Sequence, residues 1–487
     1  MPHELSFIAR SQTMRVLSSV TPTPEQLKIL EADTYQTVII RGSAGSGKTS
    51  AAALRFRKAL AGIAADRELR FDSSPIRVAV LTFNRTLKGY IENLIDEQIR
   101  SVPFAVDPIV DTFAHWSFEL MGYQEPIDDR VRKNEIARLW GRAPVSTTLD
   151  ADFISDEVDY VLGRFGRDGL SGYLGCERVS RGKPTLVTAR RQSIIEHVIT
   201  PYLEIVDARG VIDWNDCALR ILEGGDVHDY DIIVADEVQD FTVQQLRALR
   251  ARLKPQSSLT IVIDTAQSIY PKHIEWSEVG LDPAIEAERY TLNTNYRNSP
   301  QIAQFVQPLL TGIRLSDDGT VPNYRNCRGK PSRRTPTLFS GLFSQQLAFA
   351  IQVIKAEVNL DEETVAILTL GGDGKGAIAK ALNAAGLPFC NLQRQKEWPR
   401  GPENIGVSTL HSSKGLEFDH VFILGFDNEF IHKYEEDVED YEYRHLRMLL
   451  AMAITRAKLT VVIGYREAYR PPILNLFDRD TYLKEPA

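Results

Sequence analysis

Cysteine is scarce: the 487-residue chain has four, Cys176, Cys217, Cys327 and Cys390. They are too scattered for a CxxC metal site or a disulfide framework, so a reducing, cytoplasmic setting is expected. Long apolar runs are also missing. No stretch reaches the roughly 18 consecutive apolar residues of a membrane span, and the start, MPHELSFIARSQTMRV, has no signal-peptide core, so no membrane partner is expected. Nor is positive charge in excess: 57 Lys and Arg stand against 65 Asp and Glu, a net charge of −8. That balance excludes a protein that coats nucleic acid by bulk attraction and leaves room only for a local basic groove. The 31 glycines and 24 prolines form no collagen-like or low-complexity tract. What remains is ordinary: 43% hydrophobic and 25% charged residues, on a chain long enough for roughly three domains of about 150 residues.

Short β-branched runs alternate with amphipathic helices. TVII (37–40), VAVLTF (78–83), DIIVAD (231–236) and LTIVID (259–264) form one series. TVAILTL (364–370), IGVSTL (405–410), HVFILG (420–425) and LTVVIG (459–464) form a second. This is the pattern of parallel sheets with crossover helices, so an α/β fold with two successive α/β domains is expected. The stretch from 121 to 225 has a helical period and reads as an insertion in the first domain. The expected boundaries are 1–120 and 226–295 for the first domain, 121–225 for the insertion and 296–487 for the second. Basic residues cluster at 177–191 and 323–335, and 434–443 is acidic; such runs are solvated surface or phosphate contacts.

Residues 42–49, GSAGSGKT, fit GxxxxGK[ST] between an apolar strand and a helix. Gly42, Gly45 and Gly47 let the backbone of Ser43, Ala44 and Ser46 curl so that N–H groups point inward. With the helix N-terminus at Thr49 and Ser50, they make a nest for polyphosphate. Lys48 is placed to reach β- and γ-phosphates, and the Thr49 hydroxyl to ligate Mg²⁺. The plainer reading is a glycine-rich turn with an accidental lysine. Asp236 and Glu237 leave the strand DIIVAD at its carboxyl edge, where open α/β sheets bind ligands. Asp236 suits the second Mg²⁺ ligand and Glu237 the base that orients an attacking water; alone, two such acids are more often a helix cap and surface charge, and the complete phosphate loop reverses that reading.

DEVQD (236–240) together with GSAGSGKT resembles the UvrD/Rep/PcrA-like branch of superfamily 1 helicases, and other segments resemble further motifs of that family in order. Thr23-Pro24-Glu25-Gln26 is similar to its adenine-reading motif, although Thr23 and Gln26 also fit a helix capping box. TFNRTLKGYI (82–91) and VDTFAHW (110–116) resemble strand-contacting motifs, and IDTAQSIY (263–270) the coupling motif. LNTNYRNSPQI (292–302), VSTLHSSKGLEFDHVFILG (407–425) and MLLAMAITRAK (448–458) resemble those of a second motor domain. The resemblance implies two RecA-like domains with ATP and Mg²⁺ between them. It assigns Arg297 and Arg456 as arginine fingers, Gln267 as γ-phosphate sensor, Tyr296 as the adenine-stacking ring, and Gly415 and Glu417 to ribose and phosphate.

The same resemblance implies a track for single-stranded DNA or a single/double-strand junction, built from phosphate contacts and stacking faces. Candidates are Phe83, Asn84, Arg85, Thr112, Phe113, His115 and Trp116 in the first domain and Thr409, His411 and Ser412 in the second. Two departures stand out. After Gln267-Ser268-Ile269-Tyr270 the chain reads PKHIEWSEVG, where Trp276 is the candidate for entering the track. About 110 residues separate Arg297 from Thr409, too few for the large helical accessory domain of bigger relatives, which is expected to be missing or vestigial. The implied function is an ATP-dependent 3′–5′ translocase or helicase on DNA. The alternative is a nucleic-acid-sensing ATPase that regulates a partner nuclease, because compact UvrD-like chains of this size resemble the helicase subunit of Gabija-type antiphage systems. A metabolite kinase would not call for Gln267, two distal arginines and a second α/β domain.

Overall fold

A computed structural model describes residues 22–42, 45–82, 95–96, 98–100, 102–122, 126–144, 149–176, 185–224, 229–264, 276–281, 287–313, 326–371, 374–392, 403–427 and 440–487. Its strands are β1 Thr37–Gly42, β2 Ile76–Thr82, β3 Val106–Thr112, β4 Tyr230–Ala235, β5 Leu253–Asp264, β6 Ala287–Leu292, β7 Thr337–Ser340, β8 Val365–Thr369, β9 Cys390–Asn391, β10 Ile405–Thr409, β11 Phe418–Ile423, β12 Ala457–Tyr465 and β13 Leu483–Pro486. They form two sheets, in the orders β3-β2-β4-β5-β1-β6 and β13-β7-β12-β11-β8-β10-β9. Every pairing among these strands is parallel.

The inner strands are apolar on both faces because both faces are covered. In the first sheet Val38, Ile40, Ile232, Val234 and Val262 face the Lys48–Leu69 helix side, in a core with Phe56 and Leu60. The alternate residues Ile39, Ile233, Ala235 and Ile261 face a second core with Phe113, Trp116, Phe241 and Trp276. The second sheet repeats the plan: Ala366, Leu368, Val421 and Ile463 lie in one core and Val365, Ile367, Phe422 and Val462 in the other. The two-residue period of a strand thus feeds two layers of helices.

Between β3 and β4 the helices Asp129–Trp140, Ala151–Phe165, Thr188–Ile194 and Thr200–Ala208 pack around their own core, with Ile136, Trp140, Val158, Val198 and Tyr202. The Thr188–Ala208 run continues through a π-turn at Ile195–Ile199. Thr200 and then Pro201 follow, and the widened turn accommodates the missing proline N–H. A buried ion pair, Arg132 Nε to Asp213 Oδ2 at 2.9 Å, closes this unit, with Tyr202 Oη donating to the same carboxylate at 2.6 Å. Burial pushes the Asp213 carboxyl up, but Arg132 and Tyr202 outweigh it and hold it below the usual range.

Candidate functional site

Strand order brings the site together. β1, β5 and β4 are neighbours, and their carboxyl ends deliver the phosphate-loop motif, Asp264 and Asp236 to one edge. Gly45 and Gly47 take left-handed backbone, φ 79° and 81°. A Cβ at Gly45 would come within 2.4 Å of Asn295 Oδ1 and 2.5 Å of the Arg297 Cβ, and one at Gly47 within 2.5 Å of Gln26 Nε2. Glycine is therefore required at both by curvature and by crowding. Ser43 and Ala44 lie outside the described residues, whereas Gly42 ends β1 and Ser46 is buried. Ser50 lies in the first turn of the Lys48–Leu69 helix.

Gln26 serves both of its expected readings at once. With Thr23 it forms the capping box of the Pro24–Ile29 helix, and its Nε2 donates to the Gly47 carbonyl at 3.0 Å. Lys48 Nζ meets Asp264 Oδ2 at 2.9 Å, and Thr49 Oγ1 donates to Asp236 Oδ2 at 3.2 Å. The Asp236 N–H donates to Leu81 O at 2.8 Å, fixing the strand-end carboxylate beside the loop. Burial, with Glu237 adjacent, pushes the Asp236 carboxyl up to about 7. Glu237 is raised too, by burial, with Lys414 opposing and Asp264 and Asp240 adding to the rise.

The second sheet's half supplies cations. The Tyr296 N–H donates to Gly45 O at 2.9 Å, so the segment Asn295–Arg297 lies against the phosphate loop. Arg297 Nη2 pairs with Glu417, and its N–H donates to Asn295 Oδ1 at 3.0 Å. Arg456 is 1% exposed, held by Met452 O and Leu416 O, both at 3.1 Å. Burial and the nearby Arg297 push its guanidinium down to about 10, against the attraction of Asp264, Glu237 and Glu417. Among the described residues, Arg297 Nε and Nη1, Arg456 Nη2 and Ser46 Oγ are buried without a hydrogen-bond partner. Unpaired buried donors beside a glycine cradle suit a polyanion. The donor set for a metal is sparse: no cluster of three or more His, Cys, Asp or Glu able to hold one occurs among the described residues. Thr49 and Asp236 alone suit Mg²⁺, which takes few protein ligands and completes its shell with phosphate and water.

Glu417 is drawn to Arg297 and Lys458, which hold its carboxylate below the usual range despite burial. Gly415 turns the chain just before it with φ 79°. Gln267, Phe83, Asn84 and Arg85 lie outside the described residues.

Three expected stacking rings require correction. Phe113 (2% exposed), Trp116 (0%) and Trp276 (7%) are packed in the first domain's core. Trp116 Nε1 donates to Tyr230 Oη at 2.9 Å, and Phe113 meets Phe241 edge-on at 5.9 Å. An aromatic at a strand end is driven inward by its own apolar area, so none of the three offers a face to a base here. The segment around Trp276 instead ties parts together: Glu278 pairs with Arg164 of the Ala151–Phe165 helix through contacts of 2.9–3.2 Å, and its carbonyl accepts from Arg247. The polar candidates sit at strand ends. Thr112 caps the Phe113–Met121 helix, and His115 is half exposed with Nδ1 2.8 Å from Asp111. Thr409 Oγ1 donates to Ser412 Oγ at 3.1 Å. His411, at the surface but crowded, is pushed down to about 4 by desolvation, His445 and Lys414.

Three residues, Asp264, Lys414 and Asp240, were not singled out from sequence. Asp264 closes on Lys48, and Lys414 Nζ reaches Asp240 Oδ2 at 2.5 Å, joining the turn after β10 to the turn after β4. Both Lys414 and Asp240 lie inside motifs legible in the chain, but only the packing of one sheet's edge on the other's makes them partners.

Two all-parallel sheets, one edge bearing the phosphate-loop motif and the other offering arginines, define an α/β protein of two sheet-built halves. Residues 391–468 match the UvrD-like helicase C-terminal domain family. The chain is 21% identical over 519 residues to DNA helicase IV of Escherichia coli (strain K12), covering 95% of this chain and 71% of that protein. It is 36% identical over 66 residues to DNA helicase II of Haemophilus influenzae, covering 14% of this chain and 9% of that protein. A solved C-terminal domain of a possible DNA helicase from Lactobacillus plantarum WCFS1 is 19% identical, with 39% of this chain and 99% of that one covered and a TM-score of 0.29. By sequence the chain is thus similar to UvrD-like DNA helicases, over 391–468 to the family's C-terminal domain and over most of its length to DNA helicase IV.

Proposed function

We propose that the chain is an ATP-dependent DNA translocase or helicase that hydrolyses ATP at the seam between its two motor halves. The observation that supports this reading is convergence: Arg456, from the second half, lies within electrostatic reach of Asp264 and Glu237 of the first, Asp264 pairs with Lys48, and the Arg297 side chain starts against Gly45 of the phosphate loop. The division into a first motor domain (1–120 and 226–295), an insertion (121–225) and a second motor domain (296–487) belongs to the same reading.

The residues take distinct parts. The loop's N–H groups and Lys48 hold the phosphates, and Gln26 and Tyr296 flank the adenine. Thr49 and Asp236 would hold Mg²⁺, which neutralises charge on the phosphates. Glu237 orients a water in line with the γ-phosphorus, and Arg297 and Arg456 stabilise charge spreading over the γ-phosphate oxygens. Phosphates offer Lys48 and Arg297 counter-ions in place of Asp264 and Glu417, so nucleotide binding rearranges the ion pairs at the seam. Closing and reopening the seam alternates the grip of Thr112 and His115 with that of Thr409, His411 and Ser412, and so advances a single strand. The 3′–5′ direction follows from the resemblance to the family, and a cytoplasmic setting from the scarce, scattered cysteines.

The short interval between β9 and β10, residues 392–404, leaves no room for a large accessory domain at that point. This favours a second reading, in which the ATPase senses DNA and acts through a partner such as a nuclease. ATP turnover with single-stranded DNA, duplex DNA and RNA, alongside fork unwinding, tests both. Turnover stimulated by single-stranded DNA with strand separation supports the first, stimulated turnover without separation supports the second, and no stimulation by any nucleic acid contradicts both.

A further inference from the structure

Lys414 and Asp240 form an ion pair across the seam, Nζ to Oδ2 2.5 Å, with side chains only 8% and 1% exposed. Removing one member of such a pair leaves the other's buried charge without this counter-ion, so the contact couples the turn after β4 to the turn after β10. Asp240 ends the turn 236–240, which carries Glu237. Glu237 holds a left-handed backbone, φ 56°, a region a non-glycine residue enters only when its surroundings impose it.

The anchors of that turn can be followed bond by bond. The Asp240 N–H donates to Glu237 O at 3.0 Å. Gln239 Nε2 donates to the Glu237 carboxylate, and Gln239 Oε1 accepts from the Asp264 N–H at 2.9 Å. These come from the first half of the molecule, whereas Lys414 comes from the second.

Resting on the ATPase reading above, we propose that Lys414 is a positioning residue: its pair with Asp240 sets the turn that carries Glu237, and sets it only while the two motor halves are joined. The water-orienting carboxylate is then assembled by closure, as the arginine fingers are. A cation reaching across to a carboxylate three residues beyond the base makes the catalytic geometry, as well as the charge stabilisation, depend on the seam.

The test is steady-state ATP turnover by Lys414→Gln, Asp240→Asn, the double variant and Lys414→Arg in the full chain, with thermal unfolding and affinity for a fluorescent ATP analogue measured alongside. Misplacing the base lowers kcat by about a hundredfold in each neutral variant while analogue affinity stays near wild type. The double variant loses no more than Lys414→Gln, because losing the Asp240 contact adds nothing once Lys414, which also faces the Glu237 charge, is gone. Lys414→Arg, which keeps the charge, recovers turnover. Three results would overturn the proposal: Asp240→Asn at wild-type kcat, losses that multiply in the double variant, or Lys414→Arg as impaired as Lys414→Gln with only the melting temperature explaining both. Absence of DNA-stimulated turnover in the wild type would instead sink the ATPase reading itself.

Discussion

The backbone N–H of Tyr296 donates to the carbonyl of Gly45 at 2.9 Å, so the segment that leads from the first sheet to the second rests on the phosphate-loop motif. A side chain at Gly45 would intrude on that contact. Gly45→Ala places a Cβ within 2.5 Å of Asn295 and Arg297 and demands a left-handed alanine, which costs roughly 1–2 kcal/mol before any clash. Loss of nucleotide affinity together with a lower melting temperature is expected; tight binding of an ATP analogue by this variant would show that the loop is not crowded as described.

Arg297→Ala removes a guanidinium whose Nε and Nη1 are unpaired. If it acts on charge that develops at the γ-phosphate, kcat falls by about a thousandfold with KM for ATP changing little. Arg297→Lys does not rescue, because a point charge cannot replace the planar fork. A change confined to KM would assign Arg297 to ground-state binding.

Magnesium binding should depend on pH near neutrality. Burial raises Asp236 to about 7, so below that value the metal must displace a proton, and apparent Mg²⁺ affinity should tighten by about tenfold per pH unit before levelling off above it. The same raised carboxyl makes the metal-free protein lose stability as pH rises from the ordinary carboxylate range through 7. Titrating Mg²⁺ against the nucleotide-bound protein from pH 6 to 8 checks the sign.

Trp116 and Trp276 separate packing from DNA contact. Truncating either to alanine opens a cavity in the first core and is expected to cost about 3–5 kcal/mol of stability. The folded fraction should bind single-stranded DNA as the wild type does. His115→Ala, at a half-exposed position, should do the reverse: near-normal stability with weaker binding. Binding that falls in step with either tryptophan would return that ring to the track.

The inner strands were legible because they are apolar on both faces: β1, β4, β8, β11 and β12 stand out as β-branched runs. The edge strands were not. β3 is fully buried only at Asp111 and Thr112 and carries Pro108, tolerated only where no neighbour needs its N–H, while β6 and β13 read as mixed polar segments. The phosphate loop and Asp236 were legible because local spacing dictates their geometry. The pairs Lys48–Asp264, Arg297–Glu417 and Lys414–Asp240, separated by 216, 120 and 174 residues, exist only through strand order and the seam. Phe113, Trp116 and Trp276 are buried for a general reason: a ring beside a strand end is claimed by the core before a ligand can use it.

The most direct measurement of the central claim is a crystal structure of the full chain with Mg²⁺, a non-hydrolysable ATP analogue and a single-stranded oligonucleotide. The expected result is guanidinium nitrogens of Arg297 and Arg456 within hydrogen-bonding distance of the γ-phosphate, with Thr49 and Asp236 at the metal. Both arginines turned away from the terminal phosphate, with the analogue held by the first half alone, would contradict it.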